Sequence, residues 1–320
     1  MRHWRGAAIL VVALALQVTS SGAQQAPLVV SGSDGWRGLW RPDAQPPTRW
    51  ARGDAALLAT LQWRQAQGGM TYAQLPVRGD GEAWRTRVVV VRIDPRTVRF
   101  RLDTAFAPGR DADGNTVRRA RWRVEDAASF TLLAVNAGQF DATFLGTLPW
   151  GWVVLGGREW RAPGIGPLSS AVVIDTSGAV RLLPVTSLVS PTRANGVRDA
   201  FQSFPTLLQD DGVVPAALQD GASAVDLTHR DARLAIGVQR DGTVLVVMTR
   251  FDVFGRTFGA VPFGFTTPEM AALMGALGCA RAVMLDGGIS AQLQLRDATD
   301  TMQRWSGSRR VPMGLVVERR

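Results

Sequence analysis

The sequence has one cysteine, two histidines and no lysine among its 320 residues. A single cysteine, Cys279, excludes an internal disulfide and a cysteine-ligated zinc or iron–sulfur site, and we expect it to be a small buried hydrophobe. Two histidines are too few for a multi-histidine metal site. Without lysine, Schiff-base and lysine-base chemistry are excluded as well.

All 36 basic residues are arginines, which exceed the 27 acidic residues and give a net charge of +9. The arginines are spread along the chain without a recognisable nucleic-acid-binding module, so we expect no nucleic-acid partner. Hydrophobic residues make up 46% and charged residues 20% of the chain, which indicates a globular protein and excludes wholesale disorder. The 34 glycines and 17 prolines indicate many turns and argue against a helical bundle.

Residues 1–23 have the three-part pattern of a secretory signal peptide. A basic start, Met1–Arg5, precedes an almost wholly apolar run, Gly6–Val18, and small residues precede a cut after Ala23. The run is shorter than the roughly 20 apolar residues that span a bilayer. We therefore expect a secreted or periplasmic protein without stable membrane insertion after cleavage; an uncleaved N-terminal anchor is the alternative.

Two segments of different composition follow the expected signal peptide. Residues 24–68 are rich in tryptophan, proline, glycine and arginine, and we expect them to form a lead-in segment that packs on the main body. Residues 69–320 carry strong strand signals and form the main domain in this interpretation.

The main domain alternates short apolar runs with turn signals, which predicts many strands. The predicted strands are Arg87–Ile93, Val98–Leu102, Thr131–Val135, Gly151–Leu155, Ala171–Asp175, Val180–Val185, Thr206–Gln209, Leu234–Gln239, Val244–Thr249, Ala282–Leu285, Ile289–Leu295 and Met313–Val317. The alternation within Ile289–Leu295 predicts that one side of this strand faces solvent.

Helices are fewer than strands. One is predicted over Thr116–Ser129, and another begins near Thr266, where Glu269 completes a capping signature, and ends at Gly278. The predicted fold class is therefore α+β, with a mixed, largely antiparallel β-sheet core and a few packed helices.

Asp286 is the first candidate for chemistry. It follows an apolar strand and precedes Gly287 and Gly288. A carboxyl group at the edge of a core can have a pKa raised into the range useful for a general acid. The two glycines let the backbone approach a ligand and offer unobstructed N–H groups. A plain Asp-Gly-Gly turn between two strands is the alternative.

Other polar candidates lie near the ends of predicted strands. Asn136 can hydrogen-bond a sugar or a phosphodiester, His229 can donate a proton, and Arg233 can bind phosphate through two N–H groups. Ser203 is a weak candidate nucleophile because no Ser-His-Asp signature surrounds it. Asp252 can supply a second carboxylate. A turn, cap or surface role is the alternative for these residues.

Five segments, taken in order, resemble the phosphodiester glycosidase family, which includes N-acetylglucosamine-1-phosphodiester α-N-acetylglucosaminidase. They are Asn136–Phe140, Gln202–Pro205, Arg233–Gly237, Phe265–Glu269 with the helix that follows, and Leu285–Ser290. The resemblance runs from Gly69 to Glu318 and is greatest to bacterial exported members. Gln139, Phe204 and Leu234 depart from the residues usual in the family.

The resemblance implies an exported hydrolase of glycosyl-1-phosphodiester bonds, with cell-wall or exopolysaccharide polymers as candidate substrates. Asp286 and His229 would be catalytic. Arg233 would hold the phosphate with the help of His229 and glycine N–H groups. The substrate-binding residues would be Asn136, Gly138, Gln202, Ser203, Arg233, Asp252, Gly287, Gly288 and Ser290. The sequence leaves open which carboxyl group is nucleophile and which is acid.

No cofactor is expected, and a divalent cation is left open. A non-catalytic envelope protein that binds anionic polysaccharide is the main alternative, because the chain is basic, its lead-in is rich in tryptophan, and Gln139 and Phe204 depart from the family pattern. An exported structural domain without a ligand is a third interpretation.

Overall fold

The computed structural model describes residues 28–32, 35–40, 48–78, 85–104, 122–143, 146–164, 166, 169–190, 192–219, 225–251 and 264–320. Within these residues the chain forms mostly antiparallel β-sheet with two short helices, which confirms the predicted fold class.

The strands are β1 (Leu28–Gly32), β2 (Gly35–Trp40), β3 (Arg64–Gln65), β4 (Thr71–Arg78), β5 (Thr86–Ile93), β6 (Val98–Thr104), β7 (Leu133–Asn136), β8 (Phe140–Thr143), β9 (Gly146–Pro149), β10 (Val153–Leu155), β11 (Arg158–Arg161), β12 (Ser170–Asp175), β13 (Val180–Pro184), β14 (Val197–Ser203), β15 (Thr206–Leu208), β16 (Leu234–Gln239), β17 (Val244–Phe251), β18 (Cys279–Met284), β19 (Leu293–Arg296), β20 (Met302–Trp305) and β21 (Met313–Arg319). The helices are α1 (Ala55–Thr60) and α2 (Thr267–Ala276).

The largest sheet among the described strands has nine members, in the order β15-β18-β16-β17-β5-β4-β1-β2 with β3 beside β4. Val88–Val91 of β5 is buried at every position because both faces of the sheet are covered. Val88 packs in a cluster with Leu57 of α1 and Leu273 of α2, whereas Val89 belongs to a second cluster on the opposite face. A continuous apolar run is what a strand buried on two sides requires.

The second cluster joins the large sheet to two five-stranded sheets. Their strand orders are β11-β10-β14-β12-β13 and β20-β19-β7-β21-β6, and β8 and β9 pair as a separate hairpin. Val246 of β17, Phe201 of β14 and Leu315 of β21 all belong to this cluster. The three sheets thus share one core, and strands from all three end near the candidate site.

Helix α2 begins with the predicted capping signature. The hydroxyl of Thr266 accepts a hydrogen bond from the N–H of Glu269 at 3.3 Å, and the carboxylate of Glu269 accepts one from the N–H of Thr266 at 2.8 Å. Gly278, with φ of 87°, follows the helix in the left-handed conformation that ends it.

The predicted helix Thr116–Ser129 is wrong where the structure describes it. Residues 116–121 lie outside the described part, and the remainder has only a 3₁₀ turn at Val124–Asp126. Trp122 and Val311 exchange backbone hydrogen bonds of 3.0 Å in both directions. This strand-like bridge uses the extended backbone that a helix lacks.

The expected solvent-facing side of Ile289–Leu295 is also wrong. Gln292 and Gln294 are buried, because more protein covers the side on which they lie. The amide oxygen of Gln292 accepts a hydrogen bond from the N–H of Val124 at 3.0 Å, and its amide nitrogen donates to the carbonyl of Arg309 at 3.3 Å. Period-two alternation reveals two chemically different sides but not what covers the polar one.

The described residues of the lead-in segment join the largest sheet. Strands β1 and β3 both pair with β4. The carboxylate of Asp54 caps α1 by accepting hydrogen bonds from the N–H groups of Ala56 and Leu57 at 3.0 and 2.9 Å.

The expected signal peptide lies outside the described residues. In the described part of the chain, no helix is both long enough and apolar enough to cross a membrane.

Candidate active site

The candidate site lies where β7, β14 and β18 end. The N–H of Asp286, just beyond β18, donates to the carbonyl of Ala137, just beyond β7, at 3.0 Å. The hydroxyl of Ser203, the last residue of β14, donates to the carbonyl of Met284 at 2.5 Å. These bonds fix Asp286 beside the ends of two strands that are distant from it in the sequence.

Asp286 carries a carboxyl group that is incompletely hydrogen-bonded. Burial raises its pKa from 3.8 to about 7, although a hydrogen bond from Ser290 and the charge of Arg309 act to lower it. Its Oδ2 is buried and has no hydrogen-bond partner in the described structure. A carboxyl group with a pKa near 7 can donate or accept a proton at neutral pH, and a buried oxygen left without a partner is a feature of functional sites.

Asp231 supplies a second carboxyl group, which the sequence analysis did not single out. Its Oδ2 lies 2.8 Å from the point that a Cβ on Gly288 would occupy. Burial raises the pKa of Asp231, whereas the charges of Arg233 and His229 act to lower it. The charge of Asp231 in turn raises the pKa of Asp286. The two carboxyl groups are therefore close enough for the charge of Asp231 to act on Asp286.

Arg233 lies beside Asp231 with its guanidinium held by backbone carbonyls. Its Nε donates to the carbonyl of Phe265 at 2.7 Å, and its Nη2 donates to the carbonyl of His229 at 2.5 Å. Burial lowers the pKa of Arg233, an effect that the charge of Asp231 opposes. The His229 side chain is 63% exposed, and its Nε2 lies 3.7 Å from Oδ2 of Asp231. Arg233, His229 and the two carboxyl groups thus form one charged cluster.

A buried ion pair fixes the segment that carries this cluster. Arg230 donates two hydrogen bonds to the carboxylate of Glu269, at 2.6 and 2.8 Å, and a third to the carbonyl of Gly264 at 3.2 Å. Asp231 and Phe265 also exchange backbone hydrogen bonds. Since Glu269 caps α2 as well, the segment is held rigidly against the first turn of that helix.

Asn136 and Ser203, two of the predicted binding residues, are fully buried and bond to the protein itself. Asn136 donates to the carbonyl of Asp286 at 2.5 Å and accepts from the N–H of Gln292 at 2.9 Å. The hydroxyl of Ser203, which donates to the carbonyl of Met284, also lies 2.8 Å from Oε1 of Gln139. These contacts position the backbone around Asp286, and direct contact of either side chain with substrate stays a prediction.

Gln202 is likewise fully buried. Its Oε1 accepts hydrogen bonds from the N–H groups of Trp152 and Gly164, both at 2.9 Å, and its Nε2 donates to the carbonyl of Gly164 at 2.9 Å. The side chain therefore ties β14 to the segment around β10. Its predicted contact with substrate is untested.

Gly138, Gly287 and Gly288 lie where a side chain does not fit. A Cβ on Gly138 would lie 2.4 Å from the carbonyl oxygen of Gln202, and one on Gly287 would lie 2.7 Å from that of Ala232. Gly288 has φ of 59°, and its N–H donates to the carbonyl of Ala232 at 2.7 Å. That bond occupies the N–H, so Gly288 does not offer it to phosphate as the resemblance implied.

Aromatic side chains lie near Gln139 and Ser203: Phe140 and Phe204 follow these residues in the chain, and the N–H of Trp150 donates to the carbonyl of Gln139. The rings of Trp150 and Phe204 are 4.8 Å apart and tilted by 59°. The guanidinium of Arg309 lies 4.9 Å from the ring centre of Phe140. Aromatic faces of this kind can pack against the apolar face of a sugar ring.

Residues 129–318, more than half of the chain, match the family described as phosphodiester glycosidase. The chain belongs to this family. The matched region includes both carboxyl groups of the cluster and Arg233.

Two solved structures share the phosphodiester glycosidase fold of this chain. One is a hypothetical protein from Synechocystis, with 17% identity and a TM-score of 0.55 over 92% of this chain and 68% of that one. The other is the catalytic domain of zebrafish N-acetylglucosamine-1-phosphodiester α-N-acetylglucosaminidase, auto-inhibited by its pro-peptide, with 16% identity and a TM-score of 0.56 over 87% of this chain and 96% of that one. Identities this low establish the fold alone. Among curated proteins, none matches the sequence.

The predictions for Ser290, for Asp252 and for a bound divalent cation remain to be compared with the structure. Ser290 is buried, and its hydroxyl hydrogen-bonds Asp286. Asp252 lies outside the described residues. Within the described ranges, no three His, Cys, Asp or Glu side chains are grouped so that they could hold a metal ion.

Asp231 and Arg309 are the residues near Asp286 that the sequence analysis missed. A usable signal existed for Asp231, because it stands two positions before Arg233 and residues two apart in extended chain point to the same side. Arg309 carries no such signal, since it lies in a polar loop and reaches the site only through the fold.

Proposed function

We propose that the protein hydrolyses glycosyl-1-phosphodiester bonds and releases a free sugar and a phosphomonoester. The buried carboxyl group of Asp286, with its pKa of about 7, its unbonded Oδ2 and the nearby charge of Asp231, is the observation that carries this proposal. Two carboxyl groups at the scissile bond are the usual catalytic groups of glycosidases. Membership of the family supports the substrate class.

The two carboxyl groups have different electrostatic surroundings. Burial is the largest influence on both groups and favours their neutral forms. At Asp231 the charges of Arg233 and His229 oppose it, whereas at Asp286 it raises the pKa to about 7. We therefore place the proton that is transferred near pH 7 on Asp286. We assign proton transfer to Asp286, and to Asp231 the stabilisation of positive charge at the anomeric carbon.

In the proposed reaction, the oxygen of a water molecule bonds to the anomeric carbon as the bond from that carbon to the phosphodiester oxygen breaks. The electrons of the broken bond leave with the phosphate. Asp286 donates its proton to the leaving oxygen, the attacking water loses a proton to solvent, and Asp286 is reprotonated from solvent, so the products are the free sugar and a phosphomonoester. Arg233 offsets the charge of the phosphate.

Isotope labelling tests which bond is cleaved. The protein is incubated in ¹⁸O-water with a panel of hexosyl and N-acetylhexosaminyl 1-(methyl phosphates). We expect ¹⁸O on the anomeric carbon of the released sugar and none in methyl phosphate. Label in methyl phosphate would contradict the proposal. Salt-sensitive binding of the panel without any product would instead favour the non-catalytic polysaccharide-binding function.

Replacing Asp231 with Asn is expected to lower the pKa of Asp286, since the charge of Asp231 raises it. The proton that Asp286 donates would then be lost at lower pH, and the alkaline limb of the pH–rate profile should move to lower pH. Carboxyl ¹³C NMR titration gives the same pKa directly. Asp300→Asn is the control, because Asp300 is exposed, and it should leave the limb in place. An unmoved limb in Asp231→Asn would show that the two carboxyl groups are not coupled.

Export and a polymeric substrate are the finer parts of the proposal. The signal-like residues 1–23 support export, and the net charge of +9 suits an anionic wall or exopolysaccharide polymer. N-terminal sequencing of the protein from the producing cell tests export, with Gln24 as the expected first residue. A mature protein that retains Met1 would contradict cleavage after Ala23.

A further inference from the structure

A cavity of about 370 Å³ lies between the edge strands β13 and β15. Ser170 and Thr206 line its buried part, and Leu182 and Leu208 supply apolar wall. Arg281, whose side chain is 40% exposed, also lines it. None of the residues assigned to the charged cluster of the candidate active site lines this cavity.

The lining suits a ligand with both hydroxyl groups and negative charge. The hydroxyls of Ser170 and Thr206 are hydrogen-bonded to each other at 2.7 Å, and the hydroxyl of Ser170 can exchange a further hydrogen bond with a ligand hydroxyl. Arg281 is anchored by a hydrogen bond of 3.0 Å from its Nη1 to the carbonyl of Leu182. An anchored guanidinium presents its remaining donors in a fixed fork that matches phosphate or carboxylate.

The cavity is close to Asp286. Ser170 is the cross-strand partner of Ser203, whose hydroxyl bonds the carbonyl of Met284. Thr206 is paired with Val283, only three residues before Asp286. At about 3.3 Å per residue of extended chain, the Thr206 pairing lies roughly 10 Å from Asp286 along β18.

We propose that this cavity binds a hydroxylated unit carrying one anionic group, on the leaving-group side of the scissile phosphodiester. The assignment to the leaving group rests on the proposed function, whereas the binding of such a unit does not. The anionic group comes from either a phosphate or a carboxylate, as in a polyol phosphate or a sugar acid. Both are units of anionic polymers, and the guanidinium of Arg281 fits both.

Asp210 provides a sensitive test of this assignment. Its Oδ1 lies 3.6 Å from Nη2 of Arg281, so its carboxylate competes with a ligand anion for the same guanidinium. Asp210 has φ of 43°, a conformation that Asn tolerates. Asp210→Asn therefore removes the competing charge with little strain and should strengthen binding of the anionic ligand about threefold or more.

The experiment is isothermal titration calorimetry on the Asp286→Asn protein, in which turnover does not interfere. The probes are glycerol 1-phosphate, galacturonate, glycerol and inorganic phosphate. We expect glycerol 1-phosphate or galacturonate to bind more tightly than glycerol and inorganic phosphate. Arg281→Gln should weaken that binding about tenfold or more, since it removes a charged hydrogen-bond donor.

Arg181→Gln is the matched control. Arg181 lies on β13, one of the two strands that flank the cavity, but it is exposed and does not line the cavity. This variant makes the same change in net charge and should alter Kd less than about twofold. Equal effects of Arg181→Gln and Arg281→Gln would overturn the proposal, and so would unchanged affinity in Asp210→Asn. Thermal unfolding of each variant confirms that it is folded.

The outcomes separate this proposal from the proposed function. If binding depends on Arg281 but the protein hydrolyses no phosphodiester, ligand binding in the cavity is supported and the proposed hydrolase activity is contradicted. Hydrolysis by the unmodified protein, with KM unchanged by Arg281→Gln, would support the hydrolase and overturn the leaving-group assignment. Preference for glycerol 1-phosphate over galacturonate, or the reverse, identifies the anion.

Discussion

Asp286→Asn is expected to reduce the rate of sugar release about 10²–10⁴-fold, the usual contribution of a general acid or base. The same substitution is expected to stabilise the protein at pH 8. Asn has almost the shape of Asp but cannot ionise, so it removes the proton transfer and also the free-energy cost of burying a charge.

The direction of the stability change follows from the pKa of Asp286. Folding raises this pKa from 3.8 to about 7, so between these values the folded protein binds more protons than the unfolded chain. The contribution of Asp286 to the free energy of unfolding therefore falls as pH rises through this range. At about 1.4 kcal/mol per unit of pKa, the cost at pH 8 has an upper limit of about 4 kcal/mol, which Asn avoids.

Urea unfolding of both proteins from pH 4 to pH 8 measures this effect. The advantage of Asp286→Asn should be largest at pH 8 and should shrink as pH falls towards 4. Asp94→Asn is the control, and it should reduce the free energy of unfolding where Asp286→Asn increases it. Hydrogen bonds from Arg96 lower the pKa of Asp94 to about 2, so the charged form of Asp94 stabilises the folded protein. An Asp286→Asn protein that is no more stable at pH 8 would mean that Asp286 is not buried as a charged group.

Gln202→Ala is expected to reduce the free energy of unfolding by about 3–5 kcal/mol. The substitution leaves the N–H groups of Trp152 and Gly164 and the carbonyl of Gly164 without the bonds that Gln202 makes to them. Each buried polar group left unpaired costs about 1–3 kcal/mol. Urea unfolding monitored by circular dichroism is the measurement.

Gln74→Ala is the matched control for this prediction. Gln74 is also on a strand, but its side chain is only partly buried and its amide oxygen receives a single long hydrogen bond, of 3.5 Å, from Arg87. Its replacement should change the free energy of unfolding by less than about 1 kcal/mol. Equal losses in the two variants would be inconsistent with a special role for the Gln202 side chain.

Strands with uninterrupted apolar runs could be predicted closely from the sequence. The predicted strand Leu234–Gln239 coincides with β16, because its chain is apolar throughout and a turn follows it. Strand β14 could not be predicted in this way, since Asp199 lies in its middle. The carboxylate of Asp199 is buried and accepts hydrogen bonds from the N–H groups of Gly156 and Leu102. A charged residue satisfied by distant backbone has no local signature.

The candidate site also combines residues that the local sequence could indicate with contacts that it could not. Asp286 could be singled out because a carboxyl group after an apolar strand and before two glycines is unusual in a local way. Its proximity to Asp231 could not, because it depends on Gly288 lying against Asp231, just before β16. Likewise, the sequence identifies Gln202 as a polar residue at a strand end but not as a tie between two segments. Local patterns indicate which residues are chemically unusual, and the fold decides which of them meet.

The backbone bonds that join Asp286 to Ala137 and Gly288 to Ala232 have a consequence for ligand binding. They join segments that lie just beyond the ends of packed strands, so opening them would disturb the adjoining part of the core. The carboxyl pair is therefore preorganised in the free protein. A substrate that reaches it loses its own translational freedom but does not have to order these segments, and a larger share of its contact energy remains for the transition state.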